Sequence, residues 1–258
     1  MSANISSTTL FHFTRKLEYL KSILENGFYP RYCPEYTLDP ADVQAASHGR
    51  SPLRAIPMVC FCDLPTGVIR KHYRQYGPYG IGLNRDWGLT NGLSPVIYTH
   101  DLAGTRKPAL HLVTKRSSAR DRGLRQDMNT LAAYSKPYEG PSWRRGRAGS
   151  PGKVTEKVKF YHEREWRYVP DVPNKFLRSK DYNDGTKLNR LQQHLREHHK
   201  LAIHPRNIQY LILPYRKSET NVLRMHNYLM DLYTRQYDSK EAALVVTTIM
   251  TSDALDDV

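Results

Sequence analysis

A change of hydrophobic period close to the start of the chain constrains the fold more than any other feature. Leu10-Phe-His-Phe-Thr14 carries the alternating pattern of a half-buried strand. Directly after it, Leu17, Leu20, Ile23 and Leu24 recur at helical spacing, and Gly27 supplies a stop. Thr14 is placed to cap this helix over Arg15 to Asn26. The switch recurs downstream. Met58 to Asp63 reads as a buried strand ended by Leu64-Pro65, Thr66 to Tyr76 as a helix stopped at Gly77, and Tyr79 to Leu83 and Pro95 to Tyr98 as strands. Two amphipathic helices, Thr186 to His199 and Ser218 to Gln236, flank a strand over Asn207 to Leu213. Ala243 to Ile249 reads as a late strand, and there is no internal repeat. Short strands alternating with helices predict an α+β fold.

The chain has 258 residues, 39% of them hydrophobic and 10% aromatic, which is enough apolar material for a folded protein. One α+β domain is expected over 1–258, with a basic insertion at about 104–158. No apolar run approaches the roughly 18 residues of a membrane helix. Met1 to Thr9 lacks the basic start and apolar stretch of a secretory signal, so the expected location is cytoplasmic. Cys33, Cys60 and Cys62 do not make a disulfide framework. Cys60 and Cys62 suit a core strand, and a zinc site would need further ligands. The net charge of +14 favours nucleic acid, a nucleotide or an acidic protein as partner.

Within the expected insertion, Lys136 to Lys153 is rich in turn formers and arginines and reads as a basic loop. Trp143, Arg144, Arg145, Arg147 and Lys153 are its candidate contacts to nucleic acid or an acidic target, because arginines interleaved with an aromatic suit phosphate contact and base stacking. A solvated basic loop accounts for the same residues.

The segment Phe160-Tyr-His-Glu-Arg-Glu-Trp-Arg167 is the densest in chemistry. On a continuous strand Glu163, Glu165 and Arg167 share one face. Arg167 can then hold one carboxylate while the other accepts a hydrogen bond. Such a face serves either as a reactive carboxylate pair or as a salt-bridge network. His12 is a second candidate, with His72, Tyr76 and Tyr79 clustered around glycines at 77, 80 and 82 that admit a ligand or backbone closely. His194-Leu-Arg-Glu-His198 matches a zinc-peptidase spacing, but its polar, basic surroundings suit a surface helix. No metal is expected. A phosphate-binding loop of the Walker type and a nucleophile elbow are both absent from the sequence.

Taken in order, these segments resemble the AbiGi family of abortive-infection (phage-resistance) proteins. The resemblance rests on Leu10-Phe-His-Phe-Thr14, Ile23 to Phe28 with Pro30 to Cys33, Pro57 to Pro65, His72, Tyr76 to Leu83, Trp87-Gly88 and Phe160 to Tyr168. It implies a role in phage defence as the antitoxin-like partner of a two-gene system. A more distant resemblance is to ADP-ribosyltransferases of the DarT type. It implies a split β-sheet core with flanking helices and NAD as substrate. Under that resemblance Glu165 and Glu163 are the catalytic pair, and His12, Thr14, Asp63, His72, Tyr76 and Tyr79 line the NAD site. The middle motif, Val-Cys-Phe-Cys-Asp, lacks the Ser-Thr-Ser of the arginine-modifying class. The leading expectation is an NAD-dependent ADP-ribosyltransferase-like defence protein acting on nucleic acid or protein. The competing one is a non-catalytic antitoxin or adaptor that binds a partner toxin or nucleic acid through its basic surface.

Overall fold

The period change at the start of the chain becomes strand β1 (Thr9–Thr14) followed by helix α1 (Leu17–Asn26). In this computed structural model the described residues are 7–35, 54–100, 103–104, 108–109, 111, 120–144, 153–214 and 218–254. Next come β2 (Arg31–Glu35), β3 (Arg54–Cys62), α2 (Arg70–Tyr76), β4 (Tyr79–Asn84), α3 (Arg85–Thr90), β5 (Ser94–Pro95) and β6 (Ile97–Thr99). The middle of the chain forms α4 (Arg122–Ala133), β7 (Ser135–Pro137), β8 (Gly140–Arg144), β9 (Lys153–Val158) and β10 (Glu165–Tyr168). The remainder is β11 (Leu177–Arg178), α5 (Ser179–Asn183), α6 (Gly185–His198), β12 (Ile208–Leu213), α7 (Ser218–Gln236), α8 (Ser239–Val246) and β13 (Ile249–Thr251). The fold is mixed α+β, with sheet strands and flanking helices. Its contacts divide it into two units, one of Met1–Phe28, Cys60–Leu93 and Leu201–Val258, the other of Tyr29–Val59 and Ser94–Lys200.

In the first unit the strand order is β13-β12-β4-β1-β3, with β12 and β13 parallel and the other pairs antiparallel. Register sets Phe11 opposite Gly82 and Phe13 opposite Gly80. Directly opposed residues point to the same face, so the phenyl rings lie over the glycines. A Cβ at Gly82 would come within 2.8 Å of the Phe11 ring, and one at Gly80 within 2.8 Å of the Phe13 ring. The space these glycines leave therefore belongs to the protein's own side chains. Gly77, at φ 136°, lies against the Thr14 backbone and ends α2 in a conformation other residues resist. Phe11 joins Cys62, Leu64, Ile69 and Ile212 in the core on this face. Against α1 lies α7, where the Tyr228 hydroxyl donates to Glu25 at 2.7 Å and the buried Tyr233 hydroxyl to the Leu24 carbonyl at 3.4 Å.

In the second unit the Arg54–Val59 part of β3 is flanked by β2 and β11, both of which pair with Ala55. Leu188, Leu191 and Leu195 of α6 stand three and four residues apart, a helical stripe. They close over Tyr32, Ala55, Val172 and Leu177. The Asp184 side chain caps this helix by accepting the Lys187 amide at 3.0 Å. β6 pairs in parallel with β7, β10 antiparallel with β5, and β8 with β9 as a hairpin.

Several local expectations are corrected. Thr14 does not cap α1: it pairs with Tyr79 at the end of β1, and Lys16 precedes the helix with no side-chain cap. Ala243 to Val246 is helical, because Asp238 accepts the Glu241 amide at 2.8 Å and starts α8. A capped first turn outweighs the strand preference of its β-branched residues. Residues 136–144 and Lys153 are not all loop, since β7, β8 and the start of β9 occupy them. Phe160 to Arg167 is not one strand. Phe160–Glu163 is a 3-10 turn, Arg164 turns the backbone at φ 43°, and only then does β10 begin.

Candidate functional site

That broken strand still brings its carboxylates together. β10 alternates inward and outward, which buries Glu165 and Arg167, and the Arg167 side chain is 0% exposed. Its guanidinium is bidentate on Glu165, with Nε donating to Oε1 at 2.7 Å and Nη2 to Oε2 at 3.0 Å. Nη2 also donates to Glu35 on β2 at 2.5 Å, and Nη1 to the Ala133 carbonyl at 2.9 Å. From β7, Lys136 donates to Glu165 at 3.0 Å and to Glu163 at 2.7 Å, with Glu35 at 3.9 Å. Its ammonium also sits 4.7 Å from the centre of the Phe160 ring.

Among the described residues, three carboxylates thus share two cations in a largely buried node. Burial pulls the Lys136 ammonium down, but Glu165, Glu35 and Glu163 together push it well above its ordinary value. Burial raises the Cys33 thiol to about 12, with Glu35 adding to the effect. The Glu165 amide donates to the Tyr98 hydroxyl at 3.0 Å. Burial first, then Glu165, raises that phenol. Both oxygens of Glu165 accept charge-assisted hydrogen bonds, which holds the carboxylate as an acceptor in fixed geometry. Glu163 stands at the rim, its side chain 17% exposed.

Glu35 and Lys136 were not singled out for this node by the sequence. Arg167 and Glu35 are 132 residues apart, and no local pattern links them.

The residues placed at an NAD site by resemblance all belong to the first unit, whereas Glu163 and Glu165 belong to the second. His12, Thr14 and Tyr79 share one face of the β1–β4 pair by register. His12 donates from Nδ1 to the Cys60 carbonyl at 2.8 Å and meets the rings of Phe28 and Phe61 at 5.1 and 5.7 Å. Burial lowers its pKa against the opposing effect of that carbonyl. Asp63 is buried, accepting the Ser7 amide at 3.0 Å and Arg85 at 3.1 Å. His72 is buried with its ring 5.5 Å from that of exposed Tyr76. Of the basic contacts, Trp143, Arg144 and Lys153 fall on β8 and β9, while Arg145 and Arg147 lie outside the described residues.

Two further polar features lie in the second unit. A cleft of about 460 Å³ is lined by Arg122, Arg125, Gln126, Asn129, Asp171 and Lys175 among others. Its one lining carboxylate, Asp171, is held by Gln126 at 2.5 Å and Lys175 at 3.3 Å. His194 and His198 are exposed on α6 with ring centres 4.6 Å apart. Among the described residues no group of three His, Cys, Asp or Glu side chains is placed to hold a metal ion. Among them, too, no helix is long and apolar enough to cross a membrane.

Comparison with known proteins gives two matches. The profile of a family described as "Putative abortive phage resistance protein AbiGi, antitoxin" matches residues 26–214. That span holds every member of the buried node and leaves out His12 and Thr14. A protein of Lactococcus lactis subsp. cremoris named abortive phage resistance protein AbiGi is 30% identical over 160 residues, covering 56% of this chain and 62% of that protein. The chain therefore spans less than two thirds of the curated relative it matches. No solved structure matches.

Proposed function

This chain belongs to the AbiGi family, and from that premise we propose that it acts in phage resistance as a non-catalytic antitoxin or adaptor. It neutralises an acidic partner toxin through its basic surface. The observation that carries this reading is the state of Glu165. Both its oxygens are occupied by Arg167 and Lys136 inside a largely buried node, which is what a structural strut requires. Arg122 and Arg125, exposed along the described cleft, offer the cationic surface. Arg122 and Arg125 stand three apart on α4, so two guanidinium forks lie on one side of a helix. That spacing suits two carboxylates one turn apart on a partner.

A second reading is ADP-ribosyl transfer from NAD onto nucleic acid or protein. The observation favouring it is that Glu163 and Glu165 converge on one ammonium, with Glu163 at the rim. One experiment separates the two. The cognate toxin that this reading predicts is co-expressed with the chain or its Glu163→Gln, Glu165→Gln or Arg122→Glu/Arg125→Glu forms, and each purified chain is incubated with labelled NAD and cell extract. The antitoxin reading expects Glu163→Gln to protect as the unaltered chain does, the double charge reversal to fail, and no label to transfer. Glu163- or Glu165-dependent label transfer would replace it with the enzyme reading.

A further inference from the structure

Beside the buried node, and unused by the reading above, lies an aromatic ladder in the second unit. The Tyr138 and Tyr161 rings stack with centres 5.2 Å apart and planes 24° apart. Tyr98 packs edge-on against Tyr161 at 5.5 Å, and His100 edge-on against Tyr138 at 5.5 Å. The stack does not use up its outer ring: Tyr161 remains 50% exposed, and His100 is exposed as well. We propose that this ladder is a stacking platform for single-stranded nucleic acid, with an unpaired base laid on Tyr161 beside a cationic flank.

Three further observations support it. The platform is fixed by backbone bonds: Tyr161 donates to the Tyr138 carbonyl at 3.1 Å, and Tyr138 to the Thr99 carbonyl at 2.8 Å. The Tyr98 hydroxyl, in turn, holds the Glu165 amide at 3.0 Å, which anchors the ladder to the node. Little ordering is left for a ligand to induce. The turn that carries Tyr161 is followed directly by Arg164, the one non-glycine residue with positive φ among those described. A left-handed arginine costs energy and persists where surrounding structure enforces it. Lys159 is exposed two residues before Tyr161, and the nearby carboxylate of Glu163 is paired with Lys136 at 2.7 Å. Tyr138 and Tyr161 also bracket the β8–β9 hairpin in sequence, and that hairpin carries Arg144, Lys153 and Lys157. Sequence-tolerant single-strand binding combines aromatic rings with cationic residues. A duplex, whose bases stack on one another, offers no free face to Tyr161.

The inference is independent of the partner-toxin reading and is tested without the toxin. The full chain is titrated into fluorescein-labelled 12-nucleotide single-stranded RNA and DNA, the matching duplex, and a polyglutamate peptide, and anisotropy is read. The expected result is single-strand binding that Tyr161→Ala weakens by about 5- to 150-fold, the range of one lost base stack. Tyr161→Phe should stay within about 3-fold, because it keeps the π face. Lys159→Gln should lower the slope of log affinity against log salt by about 0.7, the single-strand value for one phosphate contact. The proposal falls if the unaltered chain does not bind single strands, or if Tyr161→Ala binds them as it does. It falls equally if polyglutamate binds in a Tyr161-dependent manner, which would make the ladder a protein contact.

Discussion

Replacing Arg167 by methionine removes the centre of the buried node while nearly keeping its volume. The side chain is 0% exposed and, among the described residues, donates two hydrogen bonds to Glu165, one to Glu35 and one to the Ala133 carbonyl. Without it, Glu165 keeps only Lys136 at 3.0 Å among those ions, and Glu35 only the same ammonium at 3.9 Å. Three carboxylates would then face one cation instead of two. Removing one partner of a buried pair costs about 3–5 kcal/mol, because the remaining charge stays desolvated. At roughly 2–4 °C per kcal/mol for a chain of this size, melting should fall by about 6–20 °C. The assay is urea unfolding at pH 7 followed by tryptophan fluorescence, for which Trp166 on β10 is a neighbouring reporter. Adding Glu165→Gln to Arg167→Met should recover part of the loss, with a coupling of about 0.5–3 kcal/mol. A loss below about 1 kcal/mol, or additive single and double variants, would refute the view that Arg167 and Glu165 act as one buried unit.

The remaining predictions concern pH and packing. The Lys136 ammonium is raised in the folded state, so its contribution is complete below its unfolded value of about 10.4 and is lost only as pH climbs through the higher folded value. The stability difference between the unaltered chain and Lys136→Met should be flat from pH 7 to 9 and shrink only in strong alkali; a decline beginning near pH 8 would contradict it. His12 is lowered, so its contribution is present above about pH 6.5 and is lost as pH falls through the folded value. His12→Phe should flatten the fall in urea midpoint between pH 6.5 and 5, and an unchanged slope would count against this. Gly82→Ala drives a methyl into the Phe11 ring and should cost about 1–3 kcal/mol in urea unfolding. A neutral result would mean that the ring moves aside freely.

Much of the fold was legible because local pattern and tertiary outcome agree. Leu10 to Asn26 shows the strand-to-helix switch in its periods, and Ser218–Gln236 is the helix its spacing indicates. Where they disagree, a single tertiary or capping interaction decides. Asp238 turns a β-branched run into α8, and pairing with Tyr79 takes Thr14 into β1. The glycines at 80 and 82 correctly signalled close approach, but the approaching groups are Phe13 and Phe11. The sequence could not show this, since register depends on the whole sheet.

The sequence by itself determined the α+β class, the positive charge, the family resemblance and the density of ionisable groups in Phe160 to Arg167. All of these are properties of composition, period and local order. Tertiary structure alone decided what those groups meet. Glu35 and Lys136 arrive from β2 and β7 to join Glu163, Glu165 and Arg167, and Tyr138 comes to lie on Tyr161. Ion pairing and ring stacking act over a few ångströms of space, whatever the separation along the chain. Only folding sets that distance.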